Sequence, residues 1–406
     1  MFRLSILLVT LFLNSELMAQ NDNGEPGEPL SRIEEIQEQR VQKAAVLQPP
    51  PKKSAFMRGF SRIEKVLQEG PLMVGAGGLG PGAGLAVGFL PEWRTDNDRV
   101  RFKLGGIIST HRFYRAGAGV ELPHLARNDL TVGFEGVHRY LPQLEYYGSG
   151  PDSSLNNRTD FLREDTLFES TVSFNLKRTV TSTCRFGKLF LNIGPGTNGS
   201  LPSTETVFTP VEAPGIDEQS DYVSGGCSVE SDGRDFFGDP HKGTYLGAGY
   251  DRYQAVDIGR FSFNRVSGVA EHYIPFLNHR RVIAMLARTE LAWHARDQVV
   301  PFYMQSRLGG DQTLRGFPRF RFYGENSILF NLEYRWAISM GWDMAIFGDA
   351  GKVFNRPGDI SLKGLEPSVG FGFRLKSDQG LAARFDIGFS REGGHVWLRF
   401  GRLFSQ

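Results

Sequence analysis

The chain has 406 residues, with 46 Lys and Arg against 45 Asp and Glu and a formal charge of +1 at pH 7, so nothing in its charge argues for nucleic acid as a partner. A mean hydropathy of −0.28 excludes a helical membrane protein, and two cysteines are too few for a disulfide-built scaffold. Its 49 glycines and its 12% aromatic fraction, mostly Phe, suit one large β structure better than several small soluble domains.

At the start, Arg3 precedes the apolar run Leu4 to Leu13, and Leu17-Met18-Ala19 leads into a polar stretch. The pattern predicts a secretory signal peptide over 1–19, because the apolar run is well short of the ~20 residues of a spanning helix. Residues 20–70 are polar and low in aromatics. Ser31 and Glu34 form a capping box for a short helix to Val46, and Gln48-Pro-Pro-Pro51-Lys-Lys53 breaks it. A short periplasmic segment, partly helical or disordered, is expected there, since so few apolar residues cannot bury a core.

From residue 71 the texture changes to segments of roughly ten residues that alternate apolar with polar or glycine between turn residues. They are Gly82 to Leu90, Val100 to Ser109, Asp129 to Tyr140, Asp165 to Leu176, Gly243 to Asp251, Phe261 to Val269, Arg281 to Trp293, Asn326 to Trp336, Met340 to Phe347, Pro367 to Leu375, Leu381 to Phe389 and Gly394 to Phe404. Weaker candidates at Phe113 to Leu122, Phe186 to Ile193, Val266 to Phe276 and Val300 to Leu308 bring the tally to about 14 to 16, within the even-numbered range of bacterial barrels.

Alternation suits a soluble sandwich as well as a membrane barrel, so the choice rests on context. Val396, Leu398 and Phe400 share one face of the last segment, opposite His395, Trp397 and Arg399. Many such segments without helices, a signal peptide, and Trp93, Tyr140, Trp336, Trp342 and Phe404 near segment ends favour an all-β transmembrane antiparallel barrel over 71–404.

The stretch Gly194 to Lys242 is rich in glycine, proline and acids and lacks a sustained period, so it is expected to be one large loop. Cys227 lies in it and Cys184 just before it; in an oxidising compartment the two could bridge. Asp217, Glu218, Asp221, Glu230, Asp232, Asp235, Asp239 and His241 could offer oxygens and nitrogen to calcium, but no ligand loop of known spacing is present and a solvated loop is the expectation. Gly75-Ala-Gly77-Gly78-Leu-Gly80 has dinucleotide-type spacing without a βαβ context and reads as the approach to a first barrel strand. No zinc-protease pair, nucleophile elbow or phosphate-loop lysine occurs, so no enzyme, cofactor or metal site is expected.

The most informative stretch is Leu308 to Gly351. A glycine-flanked loop carries Arg315, Gly316 and Phe317, and two strand-like segments follow. Glu333 shares parity with Asn331 and Arg335, opposite Leu332, Tyr334 and Trp336; Asp349 lies opposite Gly348 and Ile346. Both acids should point to a polar lumen. If the loop folds inward, Arg315 could meet both carboxylates in a fork geometry that lysine lacks, while Gly316 allows a tight turn and Phe317 packs on the wall. Residue parity also allows a solvated loop tip above ordinary pore-lining acids.

At these residues the sequence resembles the BamA/TamA-type outer-membrane assembly-factor superfamily, whose barrel is also called the bacterial surface antigen domain. Leu314-Arg315-Gly316-Phe317 looks like the tip of the family's sixth extracellular loop, which folds back into the lumen. Asn331-Leu-Glu333-Tyr-Arg335-Trp is similar to the strand after it, and Phe347-Gly-Asp349-Ala-Gly351 to the motif on the next strand. Phe400-Gly401-Arg402-Leu403-Phe404 resembles the closing strand, whose terminal aromatic serves as an insertion signal, and Tyr146 to Ser153 with Arg158-Thr-Asp160 has the family's look. The resemblance implies a barrel of 16 strands, with Arg315 held by Glu333 and Asp349 as a lumenal lock.

It also implies insertion, assembly or translocation of client proteins at the bacterial outer membrane, with the lipid bilayer as one partner. Two departures stand out. Residues 20–70 cannot hold the periplasmic polypeptide-transport-associated repeats of many members, which points to a separate periplasmic partner, and Ser405 and Gln406 extend past the terminal aromatic. A passive outer-membrane pore and a surface barrel that anchors a partner through the Gly194 to Lys242 stretch are the alternative expectations.

Overall fold

A computed structural model of the protein describes residues 72–400 apart from 77–78, 80–82, 96, 127–128, 278–279, 340 and 378–379. The expected signal peptide and polar segment, and with them Gly401 and Phe404, lie outside the described residues. The first half carries β1 (Leu72–Ala76), β2 (Leu85–Phe89), β3 (Glu92–Arg94), β4 (Arg101–Ser109), β5 (Tyr114–Leu125), β6 (Leu130–Tyr146), β7 (Thr159–Lys177), β8 (Val180–Pro195) and β9 (Tyr222–Asp232). The second carries β10 (Gly243–Ala255), β11 (Phe263–Phe276), β12 (Arg281–Trp293), β13 (Ser306–Leu308), β14 (Phe322–Gly324), β15 (Asn326–Ser339), β16 (Trp342–Phe354), β17 (Glu366–Ser377), β18 (Gly380–Ser390) and β19 (Gly393–Phe400).

All but β13 and β14 belong to one sheet of 17 segments, antiparallel throughout. β2 and β3 both pair with β4 and form one wall strand broken at Leu90-Pro91, which leaves 16 wall strands among the described residues. Proline sits at two further register shifts, Pro123 between Leu122 and Leu125 and Pro142 between Leu141 and Leu144. A residue without an N–H is tolerated where the ladder is already interrupted. Short turns such as Arg178-Thr179 join one end of the wall, and the long connections 147–158, 196–221, 294–325 and 355–365 join the other. That asymmetry assigns the short turns to the periplasm and the long loops to the cell exterior.

The outer surface is apolar: Phe186 is 65% exposed and Val396 61%, and Leu85, Phe134, Phe168 and Val369 are exposed with them. A soluble sandwich would bury these residues, whereas a barrel presents them to lipid. Aromatic pairs mark both ends of this surface, Tyr114 stacked on Tyr140 at 5.2 Å near the exterior and Phe276, Tyr334 and Trp336 in sequence near the periplasm. No helix among the described residues is long and apolar enough to cross a membrane.

The core lies inside the barrel. Phe302, Tyr303, Val300 and Tyr323 from the 294–325 connection pack with Tyr146, Phe161, Tyr222 and Phe263 from the upper strand ends. Loop 196–221 closes over them, with Phe208 edge-on to Tyr146 at 5.0 Å and the Phe302 N–H donating to the Pro214 carbonyl at 2.9 Å.

Three expectations are corrected here. Val300 to Leu308 is not a wall strand: it holds a 3-10 turn, Phe302–Met304, and β13, which pairs with β14 inside the loop. Its apolar residues face the loop's own core, and local alternation does not say whether an apolar side chain meets lipid or protein. Gly194 to Lys242 is not one loop, because β9 occupies 222–232 and pairs with β8 and β10. Glycines at 225 and 226 and small polar residues masked its period. Phe261 to Val269 and Val266 to Phe276 are parts of the single strand β11.

Candidate functional site

The 294–325 connection descends into the lumen and is fastened there by Arg315. Its tip is a compact turn in which the Gly310 N–H donates to the carbonyls of Leu314 and Phe317, each at 3.1 Å, and the Gly309 N–H donates to the Thr313 hydroxyl at 2.8 Å. Gly309 holds φ +113°, and a Cβ there would sit 2.8 Å from the Arg321 nitrogen, so the turn needs glycine. Leu308, Leu314, Phe317 and Phe322 bury their side chains against Leu329 of β15 and Val353 of β16, which aims the Arg315 side chain at the wall.

Arg315 is 3% exposed. Its Nη2 and Nε donate to Asp349 on β16 at 2.6 and 3.0 Å, its Nη1 donates to Glu333 on β15 at 2.6 Å, and its backbone N–H donates to Asp349 at 3.0 Å. The guanidinium lies over the Phe347 ring with Cζ 3.4 Å from the centroid, combining a two-carboxylate fork with a cation–π contact. Lysine would supply one point charge without the planar fork that reaches two carboxylates.

Each buried carboxylate has further donors. Asp349 also accepts from Asn331 Nδ2 at 2.7 Å and from the Ser368 hydroxyl at 3.2 Å. Glu333 accepts from Arg374 of β17 at 2.9 Å and from Arg335 at 2.8 Å, and Arg374 donates onward to Asp386 of β18 at 2.6 Å. Arg384 binds the other oxygen of Asp386. Four guanidiniums thus interleave with three carboxylates, and Arg335 also reaches Asp239 at 3.4 Å, so each buried charge has an opposite partner.

The loop tip also touches the closing strand. Trp397 of β19 donates its indole N–H to the Arg315 carbonyl at 2.7 Å, and Ser390 donates to the Gly316 carbonyl at 2.6 Å. A Cβ on Gly388 would stand 2.5 Å from the Arg315 carbonyl carbon, which is why β18 carries glycine where the loop lies on it. Among the described residues the ladder runs from β1 round to β19, and no strand pairing joins those two ends.

A second fastening lies nearer the exterior. Arg321 is fully buried, donates to Glu392 between β18 and β19 at 2.8 Å, and donates to the Ser153 hydroxyl and carbonyl at 2.9 and 2.7 Å. The Tyr146 to Ser153 segment clasps the loop there, with the Gly150 N–H donating to the Tyr323 carbonyl at 2.7 Å. Burial, then the neighbouring Glu145, pushes the Tyr147 phenol above its usual range, so it stays neutral and donates to Glu145 at 2.6 Å.

At the periplasmic end the turn 233–242 folds into the mouth of the barrel. Asp235 accepts backbone N–H groups from Phe236, His241 and Lys242, and although burial opposes it these bonds hold its carboxyl below the usual range. They present Asp239, which is buried, to Lys376 of β17 at 2.6 Å and to Arg335 at 3.4 Å. Lys376 also meets Asp343 at 2.5 Å and the His241 ring nitrogen at 3.2 Å. Asp239, His241 and Asp343 have the spacing of a metal site, but the Lys376 ammonium stands among them. Asp239 is therefore a latch residue and not a solvated loop acid, which corrects that expectation.

The comparisons bear on this geometry. The Omp85 superfamily domain matches residues 110–396, well over half of the chain. The chain belongs to the Omp85 superfamily. Among solved structures, this Omp85 barrel is similar to BamA from Haemophilus ducreyi lacking POTRA domains 1-3, with a TM-score of 0.60 at 15% identity over 81% of this chain and 68% of that one. It is also similar to CdiB from Escherichia coli, with a TM-score of 0.54 at 14% identity over 81% of this chain and 62% of that one. At such identities these likenesses speak for the fold. No curated protein matches the sequence. Superfamily and fold make the protein an outer-membrane β-barrel without enzymatic chemistry.

Within this Omp85 barrel the structure brings Arg315, Glu333 and Asp349 together with Phe347 beneath the guanidinium, and packs Phe317 in the loop core. Gly351 opposes Leu329, where a Cβ would meet the Ile328 carbonyl at 2.8 Å. Cys184 and Cys227 are directly opposite on β8 and β9 and form a disulfide. Arg374, Asp386, Arg321 and Trp397 were missed by sequence reasoning. Their polar-face parity was a signal for Asp386 and Trp397; their partners were not readable.

Proposed function

We propose that this barrel inserts or translocates proteins at the bacterial outer membrane, using the fastened loop as the element that couples its lumen to its closing strand. One observation carries the reading. Arg315 binds Glu333 and Asp349 through its side chain while its carbonyl is held by Trp397 on β19, so displacement of the closing strand and release of the loop are mechanically linked. A client strand that pairs at the junction of β1 and β19 would draw on that link.

The test is client insertion into vesicles that contain the purified full chain, compared with vesicles that contain Arg315→Ala or Trp397→Phe. Faster folding of an outer-membrane client with the native chain, and loss of that gain in both variants at equal barrel content, is the expected result. Equal client folding with and without the native chain would overturn it. A cavity of ≈ 840 Å³ beside the loop favours a second reading, a solute pore. Planar-bilayer recordings separate the two: a steady large conductance supports the pore, and small fluctuating conductance supports the assembly reading.

A further inference from the structure

The lumen left free by the folded loop is a chamber of ≈ 840 Å³, lined by the loop, by β4 to β7 and by β12. That volume lies within the range of small-molecule sites. Nine arginine and lysine side chains line it against five carboxylates. Four of the five are already engaged: Glu92 pairs with Arg94 at 2.7 Å, Asp311 with Arg319 at 2.8 Å and Glu135 with Arg115 at 3.8 Å, and Glu290 accepts from the Ser306 hydroxyl at 2.6 Å.

The excess is concentrated on one wall. Arg115 of β5 and Arg139 of β6 are directly opposite in register, a like-charge placement that Glu135 beside Arg115 and Asp165 beside Arg139 offset only in part, because Asp165 is shared. Behind them a single carboxylate, Asp165, is shared by Arg139 at 2.7 Å and Arg163 at 2.8 Å. The Glu135 carboxylate comes no nearer to Arg115 than 3.8 Å. Arg307, carried in by the loop, lies over the Phe320 ring at 4.1 Å, which orients its guanidinium plane. Arg288 of β12 faces the chamber and forms no ion pair among the described residues.

From this arrangement we propose that the chamber is a binding site for phosphate-bearing anions, held by Arg115, Arg139, Arg288 and Arg307. Planar forks with several N–H donors match phosphate oxygens two at a time, and arginine-lined constrictions select anions and phosphates in pores. Among the residues that line the chamber, cations outnumber carboxylates nine to five, and Arg288 has no ion pair among the described residues. The proposal stands apart from the assembly reading, since it concerns the wall that the lock does not use. Two sources carry this chemistry, a free phosphorylated solute and the phosphorylated headgroup of an outer-membrane glycolipid.

The test is calorimetric titration of inorganic triphosphate into the purified full chain in uncharged detergent. Saturable binding is expected, weakened at least about tenfold, or ~1.4 kcal/mol, by Arg288→Gln. That variant removes no ion pair and keeps its fold, checked by heat-modifiable migration. Raising salt from about 0.1 M to about 1 M, which shortens the screening length from ~10 to ~3 Å, should weaken binding in the same direction. Arg115→Gln is the second variant. Absence of saturable binding at millimolar triphosphate, or binding that neither substitution weakens, would overturn the proposal. Competition by a diphosphorylated glycolipid and by its deacylated headgroup separates the sources. Stronger displacement by the acylated form assigns the site to lipid, and equal displacement assigns it to a soluble phosphate.

Discussion

On the wall from β15 to β19, the guanidiniums that fasten the loop meet carboxylates: Arg315 with Glu333 and Asp349, Arg374 with Glu333 and Asp386. Across the lumen, Arg115 and Arg139 face each other, Arg139 shares Asp165 with Arg163, and Arg288 forms no ion pair among the described residues. The first wall is covered by the loop and its charges are buried, so each must be paid for locally by a partner. The second borders open space, where water or a solute can serve. The densest charge network in this barrel therefore lies under the loop, while on the free side several guanidiniums share fewer carboxylates.

The difference is best broken at Arg315. Arg315→Ala leaves the buried Asp349 without a cation and takes one of three from Glu333, and should destabilise the barrel by about 3–5 kcal/mol, visible as loss of heat-modifiable migration at lower urea; an unchanged urea midpoint would show that the network is not structural. Arg315→Lys should recover only part of that loss, since it restores the charge without the fork.

On the side without such a network, covalent chemistry holds the wall. Removing the Cys184–Cys227 bridge, which spans 43 residues of sequence, should cost about 2–4 kcal/mol, read as a lower urea midpoint under reducing conditions. A smaller effect is expected of Gly388→Ala. The added methyl meets the Arg315 backbone, which has no flexible end to yield, and a cost of roughly 1–3 kcal/mol follows from overpacking. Arg288→Gln should change stability by less than about 0.5 kcal/mol, as for surface substitutions without a partner. A large loss there would erase the distinction between the two walls.

The periplasmic latch gives a pH test. The Asp235 carboxyl is depressed in the folded state, so the support it gives the 233–242 turn is present above the ordinary carboxylate range and is lost as pH falls through its lowered value. Acidification should therefore speed hydrogen exchange at the His241 and Lys242 amides, its two distal donors. Exchange that stays protected in strong acid would show that Lys376 alone holds the turn.

Much of the lock was legible in the chain. Parity on two adjacent segments places Glu333 and Asp349 on the lumen face, and the residue types around Arg315 fit an inward tip. Arg374 and Asp386 were not legible as partners, because long side chains cross between strands in ways that depend on barrel closure. Asp239 lies nearly a hundred residues from Arg335 in sequence, and its burial follows only from a turn that folds inward. Val300 to Leu308 looked like a wall strand for a related reason: its apolar residues meet the loop's own core, and a local pattern carries no record of which apolar surface will cover it.

What the sequence by itself determines is the wall. Two-residue periodicity, turn residues and an apolar outer face dictate an antiparallel barrel, since each strand can satisfy its backbone bonds in lipid only by pairing on both sides. The tertiary structure alone decides how the inside is filled. Closure of the wall sets the distances at which Arg315 finds two carboxylates and one indole, and the volume that remains beside Arg115 and Arg139 is what the loop does not occupy.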